Sequence, residues 1–157
     1  MTISLNQFAP NVPLPGMYVY QANLPQLHNV IVSSNQATAL GAGAVVALDS
    51  ASTNLDAPVV KQAAANGQIF GVVVYNPVKG AYSAGERIAI ARPGDVVWLP
   101  AAGEIAVGAV LGFNSSNKVT ASPSSGDSII GKALTPAAAA NDLVQVELGF
   151  SLAESAS

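Results

Sequence analysis

The chain has 157 residues, of which half are apolar and only 10% are charged, with a net charge of −3 and no cysteine. This length suits one compact domain, and the lack of cysteine excludes disulfides, thiolate chemistry and cysteine metal sites. The six Lys and Arg residues are scattered, so they cannot supply the clustered cations that nucleic-acid binding requires.

The first predicted element is an extended, Pro-rich arm over residues 1–29. Its prolines fix φ and remove backbone donors, which excludes a helix or a central strand there. The run MYVYQA alternates well enough for one short edge strand. Either the arm lies on a neighbouring molecule, anchored by Phe8, Leu14 and Tyr18, or it is a frayed terminus around that strand.

The predicted body covers residues 30–150 and consists of short strands separated by turns. Its apolar runs are broken by Gly, Pro, Asn and Ser, which is typical of a closed or nearly closed β-barrel. No run approaches the roughly 20 apolar residues that cross a bilayer, so we expect no membrane segment. Asn66-Gly67 predicts a tight turn, Gly71 predicts a bulge or a close backbone approach, and residues 151–157 are a predicted flexible tail.

The strand pattern of the body occurs twice, over residues 43–90 and again over residues 108–148. The copies differ in length only within segments of Gly, Ser, Ala and Asn. A fixed order of strands with variable turns indicates an internal duplication, so the predicted fold class is all-β, a small β-barrel built from a duplicated strand unit. The matched residues are 43–46 with 108–111, 48–50 with 113–115, 70–71 with 130–131, and 88–90 with 144–146.

The sequence offers no group that favours catalysis or metal binding. His28 is the only histidine, and it has no Ser or Cys partner at a recognisable spacing. Asp49, Asp56 and Asp127 lie in predicted loops, where capping of turns accounts for them better than a calcium site. We therefore predict that the protein is not an enzyme and that it binds no metal and no cofactor. The carboxylates considered for a glycosidase pair, all beside glycines in predicted turns, are Glu86, Asp95 and Glu104.

The aromatic residues are the remaining candidates for binding. Trp98 lies where the two copies join, either exposed at an interface or buried as a plug at the seam of the barrel, the alternative that we favour. The pairs Tyr18/Tyr20 and Tyr75/Tyr82 could stack on sugars. They are too few and too far apart in the sequence to favour stacking over cross-strand packing.

The low charge bears on the surface of the molecule. Ordinary soluble domains have about 25% charged residues, whereas this chain has 10%. Part of the surface is therefore predicted to be covered by other subunits. The alternative is a monomer with a surface of Ser, Thr, Asn and Gln.

The duplicated strands resemble the capsid decoration (cement) proteins of tailed phages. Those proteins share Gly-led V-x-L strands, a short G-V or G-K-A-L strand, an Ala/Gly segment and a closing V-x-V strand. The resemblance covers roughly residues 40–150 and leaves the Pro-rich arm outside. The matching segments are GAVVALDS, IFGVVVYNP, AGERIAI and GDVVWL, followed by GAVLGF, SIIGKALTPAAAA and LVQVEL.

This resemblance implies a structural protein on the outer capsid surface of a virion, made in the host cytoplasm. It also implies contact with the major capsid protein, bridging of coat subunits, and self-association, often as a homotrimer. Deleting residues 1–29 is predicted to weaken binding to the shell while leaving the barrel folded. The residues predicted to contact the capsid or other subunits are Phe8, Leu14, Tyr18, Tyr20 and Trp98.

Two other classes of function stay open on the sequence. One is a small β-barrel that recognises carbohydrate or a receptor on a virion or cell surface, which aromatic-dependent glycan binding would favour. The other is a small hydrolase, which a pocket holding two carboxylates within reach of one another would favour.

Overall fold

The computed structural model describes residues 13–20, 29–53 and 57–152. Within these ranges the chain forms β-strands and no helix, so the predicted all-β class is confirmed. The strands of the first part are β1 (Tyr18–Tyr20), β2 (Asn29–Val32), β3 (Leu40–Gly41), β4 (Val45–Leu48), β5 (Val59–Gln62), β6 (Gly71–Val73), β7 (Ala81–Tyr82) and β8 (Arg87–Ala91). Those of the second part are β9 (Val96–Pro100), β10 (Val110–Phe113), β11 (Val119–Ala121), β12 (Ser128–Ala133) and β13 (Leu143–Leu152).

Five strands of the first part close into a barrel in the order β2-β5-β4-β6-β8. Antiparallel pairing of β8 with β2 closes the barrel, and β2 runs parallel to β5 on its other side. Alternating β-branched residues on these strands place one side chain in the barrel and the next outside it. The predicted β-barrel is therefore confirmed, and it consists of the first copy of the repeat together with β2, which precedes that copy. We call it the first unit.

The second copy, together with β1 and β9, forms a sheet with the order β1-β9-β13-β12-β10-β11. Within it, β9 to β13 reproduce the strand order of the first unit, and β1 is added at the β9 edge. The parallel pairing that joins β2 to β5 is reduced here to one bridge between Ala101 and Val119. We call strands β9 to β13 the second unit. Its seam between β9 and β11 is joined by this single bridge.

Equivalent strands of the two units pair in the same register, so the duplication extends to individual residues. Even the turn before the first matched strand is alike, because Gly43 and Gly108 both have φ of 83°. The same sequence pattern has therefore folded twice into the same local structure. The equivalent cross-strand pairs are Val45–Val72 with Val110–Lys132, Leu48–Val60 with Phe113–Val119, and Val30–Ile88 with Leu99–Val144.

The apolar core consists of two clusters. One fills the barrel of the first unit, where Val46, Val73 and Ile90 are fully buried. The other joins the interior of the second unit to the outer face of the first. The residues that the first unit adds to this shared cluster are Val45, Val72 and Ala91, all at 0% exposure, and Ala63 at 5%.

Polar contacts fix the two units against each other beside the shared cluster. The Oδ1 of Asn117, in the β10–β11 turn, accepts hydrogen bonds from the backbone N–H of Val45 (3.0 Å) and from Nε2 of Gln62 (2.6 Å). The backbone N–H of Ser128 donates to the carbonyl of Ala65 (2.9 Å). These bonds satisfy backbone groups that would otherwise be stranded at the junction.

The segment before β1 also joins the two units. The Gly16 N–H donates to the carbonyl of Trp98 in the second unit (2.7 Å), and its carbonyl accepts from the N–H of Tyr75 after the first unit's β6 (3.0 Å). Only glycine fits there, because φ is +78° and a Cβ atom would lie 2.6 Å from the carbonyl oxygen of Val73.

This contact bears on the predicted arm. Residues 13–20 of the arm pack on the chain's own units, while residues 1–12 and 21–28 lie outside the described part. Deleting residues 1–29 would remove β1, Gly16 and the first residue of β2, so that truncation would test the fold as well as the arm. The division into arm, single β domain and tail stays a prediction.

Candidate functional site

Two of the predicted contact residues of the arm lie on β1, at the edge of the second unit: Tyr18 and Tyr20. Leu14 is half-buried, and its N–H donates to the Sδ of Met17 (3.1 Å). The half-buried Tyr18 makes a long hydrogen bond from its hydroxyl to the carbonyl of Ile90 (3.5 Å). Burial, with a smaller contribution from the Asp95 carboxylate, raises the pKa of Tyr18 to about 12. Tyr20 is placed by its pairing with Val96, and Phe8 lies outside the described residues.

Trp98 lies on β9 with its side chain on the outer face of the sheet. Its neighbours Val97 and Leu99 point inward and are fully buried, whereas Trp98 is half-buried. Trp98 is therefore not the buried plug that we expected at the seam of the barrel. Part of the indole is left accessible to a partner.

A first exposed apolar surface lies on the second unit, and we call it the outer patch. It consists of Val107, Val110 and Leu134, which are 64%, 48% and 40% exposed. Val110 lies across from Lys132 on the neighbouring strand, and Lys132 lies across from Glu147 on the next. The outer patch is thus a group of aliphatic residues beside one basic and one acidic side chain, which resembles the composition of a protein–protein interface.

A second apolar surface is a groove where the first unit meets the end of β13. Its two adjoining cavities measure about 280 and 200 Å³. Leu48 on its wall is 48% exposed, and the Arg92 guanidinium lies 3.9 Å from the centre of the Phe70 ring. Arg92 also donates to the carbonyl of Phe70. The groove is lined by Leu48, Gly67, Gln68, Ile69, Phe70, Arg92, Phe150 and Ser151.

Two of the three carboxylates considered for catalysis, Asp95 and Glu86, make structural contacts. Asp95 is fully buried and accepts a hydrogen bond from the N–H of Arg92 (3.0 Å). Glu86 forms an ion pair with Lys79, and Glu104 is exposed. The residues lining the groove include no Asp or Glu, so the groove does not provide the carboxylate pair of a glycosidase.

Two of the three loop aspartates cap turns as predicted. Asp49 accepts from the N–H of Ala51 (2.8 Å), and Asp127 accepts from the N–H of Ser124 (2.9 Å). The pKa of Asp49 is lowered chiefly by the Ala51 N–H, and also by the Ser33 hydroxyl and the Lys61 ammonium group, against the opposing effect of burial. Asp56, like His28, falls outside the described residues.

The described part of the chain gives little support to a sugar site or a metal site. Tyr82 is 8% exposed and accepts from Nδ2 of Asn76 (3.0 Å), so it presents no ring face to a sugar. Among the described residues, no three His, Asp or Glu side chains come together as metal ligands. The same residues include no helix with the length and hydropathy to span a bilayer.

Neither the outer patch nor the groove was predicted from the sequence. Val110 and Leu48 occur in strands that read as core, and their partners in the repeat, Val45 and Phe113, are indeed buried. The duplication itself was the signal that could have revealed these surfaces. When one unit packs on the other, a residue in one unit is covered while its equivalent in the other unit has no unit packed against it.

Comparison with known proteins supports the fold and identifies the family. The chain is similar to the crystal structure of the head fiber gp8.5 N base in bacteriophage phi29, with a TM-score of 0.54 and 16% identity over 77% of this chain and 91% of that one. A search of curated proteins finds no match. The model of the phage cement protein family matches residues 26–148, which include both units. The chain therefore belongs to the phage cement protein family, and this membership supports a structural role in a phage capsid.

Proposed function

We propose that the protein is a cement that binds the outer surface of an assembled phage capsid and stabilises it by bridging coat subunits. The observation that carries the proposal is the family match over both units. The partner is the major capsid protein, and the protein acts as a homo-oligomer, with a trimer favoured. It works without catalysis, as a component of the virion added after synthesis in the host cytoplasm.

The composition of the surface supports this proposal. Exposed aliphatic residues lie on both units, including Leu48 on the first and Val110 on the second. The half-buried Trp98 adds an aromatic side chain of the kind that anchors protein interfaces. We propose the predicted residues Phe8, Leu14, Tyr18, Tyr20 and Trp98 as contacts with the capsid or with other subunits.

The stabilisation follows from mass action. A protein that binds the assembled shell in preference to free coat subunits shifts the equilibrium toward the shell. A small contact between one subunit of the protein and one coat subunit binds only weakly. An oligomer that touches several coat subunits at once gains from the high effective concentration of its remaining sites, so weak contacts give tight binding.

The direct test is binding to purified shells that lack the protein. We expect the protein to co-sediment with assembled shells, to bind free coat subunits far more weakly, and to raise the temperature at which the shells disassemble. Trp98→Ala is expected to weaken shell binding by about tenfold. Val78→Ala, at a 92% exposed position away from both surfaces, is the matched control. Equal binding to free subunits, or shells whose disassembly temperature does not change, would refute the cement function.

The role of the arm needs a truncation that spares the fold. Deleting residues 1–12 keeps Gly16 and β1 in place, unlike deletion of residues 1–29. We expect this shorter truncation to fold normally, by circular dichroism, and to bind shells less tightly. Normal binding would remove the arm from the proposal while leaving the rest of it standing.

A further inference from the structure

The two units of the chain contact each other through different faces. The first unit contributes its outer face, with Val45 and Gln62 in contact with Asn117, and the second contributes its β10–β11 turn and the start of β12. If a two-fold axis related the units, each would use both faces and equivalent residues would be equally buried. Val45 is 0% exposed, yet its equivalent Val110 is 48% exposed. The internal contact is therefore heterologous, or head-to-tail.

A head-to-tail contact between two units leaves one face of each unit unused. On the second unit the unused face is the counterpart of the first unit's covered outer face. It is centred on Val110, and the outer patch surrounds it with Val107 and Leu134. In the first unit the equivalent position belongs to the shared core cluster.

The corresponding face of the first unit is found in the same way, and the second unit borders it at one edge, where Phe150 and Ser151 of β13 line the groove. Ser128 contacts the first unit through the carbonyls of Ala65 and Gly67. From the alignment of Gly71 with Gly131 in the register of the sheets, its equivalent is Gln68, which lines the groove. Phe113 is 4% exposed in the shared cluster, whereas its equivalent Leu48 on the groove wall is 48% exposed.

We propose that copies of this chain associate head-to-tail, with the outer patch of one copy seated on the groove of the next, so that the contact between units is repeated between chains. The occupant of each surface is a second copy, because the two surfaces are the counterparts of the two sides of a contact that already exists inside the chain. Heterologous contacts close into a ring when the rotation allows it. This inference rests on the proposed function for the trimer, in which the ring would alternate first and second units.

The test uses the full chain in solution, without capsids. Val110→Glu disables the outer patch and Leu48→Glu disables the groove, while Val78→Glu is the matched control outside both surfaces. Lys132 lies beside the first substitution and Arg92 near the second, so each new carboxylate has a cation at hand in the folded monomer. Circular dichroism and thermal unfolding check that the variants fold.

The oligomeric state is measured by analytical ultracentrifugation. We expect the wild type and Val78→Glu to form a closed oligomer, and each of the other variants to associate at least about tenfold more weakly, because a carboxylate would be buried at the contact. Mixing Val110→Glu with Leu48→Glu is expected to give a one-to-one heterodimer and nothing larger, since one intact patch then meets one intact groove.

Several outcomes would overturn this inference. They are a monomeric wild type, oligomers that survive both substitutions, a mixture that stays monomeric, or a two-fold dimer abolished by only one of the substitutions. The proposed function fails separately. If the wild type binds shells and both variants keep the oligomeric mass of the wild type, only the head-to-tail contact is refuted. If the protein forms a ring that does not bind shells, only the cement function is refuted.

Discussion

At the scale of single residues, the polar groups inside this protein close turns and junctions. Asp49 shows this, since its buried carboxylate accepts from Ala51 and Ser33 and lies 3.9 Å from Lys61. The sequence predicted the capping role from the residue type and its place in a loop. It did not predict the hydroxyl of Ser33, which is brought to the carboxylate by the closure of the barrel.

Tyr18 gives a prediction at this scale. Its pKa is raised from 10.0 to about 12, so the folded state holds the phenol proton more tightly than the unfolded state. The contribution to stability is fully present below pH 10 and is lost as the pH rises toward 12. The free energy of unfolding, measured by denaturant titration from pH 9 to 12, should therefore fall more steeply for the wild type than for Tyr18→Phe. Parallel curves would show that Tyr18 ionises alike in both states.

At the scale of strands, each unit depends on one glycine where two backbones come close. Gly71 was predicted to mark a bulge or a close approach, and a Cβ atom there would lie 2.6 Å from Cδ1 of Ile90 and 2.8 Å from the carbonyl oxygen of Ala91. Its equivalent, Gly131, faces β13 where the register of β12 and β13 shifts. A Cβ atom on Gly131 would overlap the carbonyl of Glu147.

Gly131→Ala should therefore destabilise the protein by about 3 kcal/mol, because the obstructing atom belongs to the backbone and β13 would have to move. Gly149→Ala, on β13 itself, is the control, since a Cβ atom there meets nothing within 4 Å. Urea unfolding followed by tryptophan fluorescence measures both. A loss for Gly131→Ala no greater than that of the control would contradict the close approach.

At the scale of the whole molecule, the two units are joined by the shared apolar cluster and by specific polar contacts beside it. Asn117 is central, since its Oδ1 accepts from both Val45 and Gln62. Its φ of 59° lies in the left-handed region, which asparagine tolerates better than most residues. The second unit is only just joined at its seam by Ala101 and Val119, so we attribute much of its order to the first unit packed against it.

Asn117→Gly tests this junction. Glycine accepts the backbone conformation but removes the acceptor, so the N–H of Val45 is left without its partner, at a cost of roughly 1–3 kcal/mol. Asn141→Gly is the control, because Asn141 has a similar φ of 74° and is exposed. Thermal unfolding should show a lower midpoint for Asn117→Gly alone. Equal midpoints for the two variants would show that the amide does not hold the units together.

The sequence by itself determined the local structure of this protein. Apolar runs interrupted by Gly, Pro and Asn specify short strands and turns, and the repeated order of strands specifies two equal units. Strands and turns can be predicted in this way because their formation depends mainly on residues that are close in the sequence. Val110 shows what the sequence could not supply. It has the same residue type and register as Val45, yet one is half exposed and the other fully buried. Only tertiary structure decides that difference, because burial depends on which unit packs against which face, and identical local patterns do not encode the neighbour.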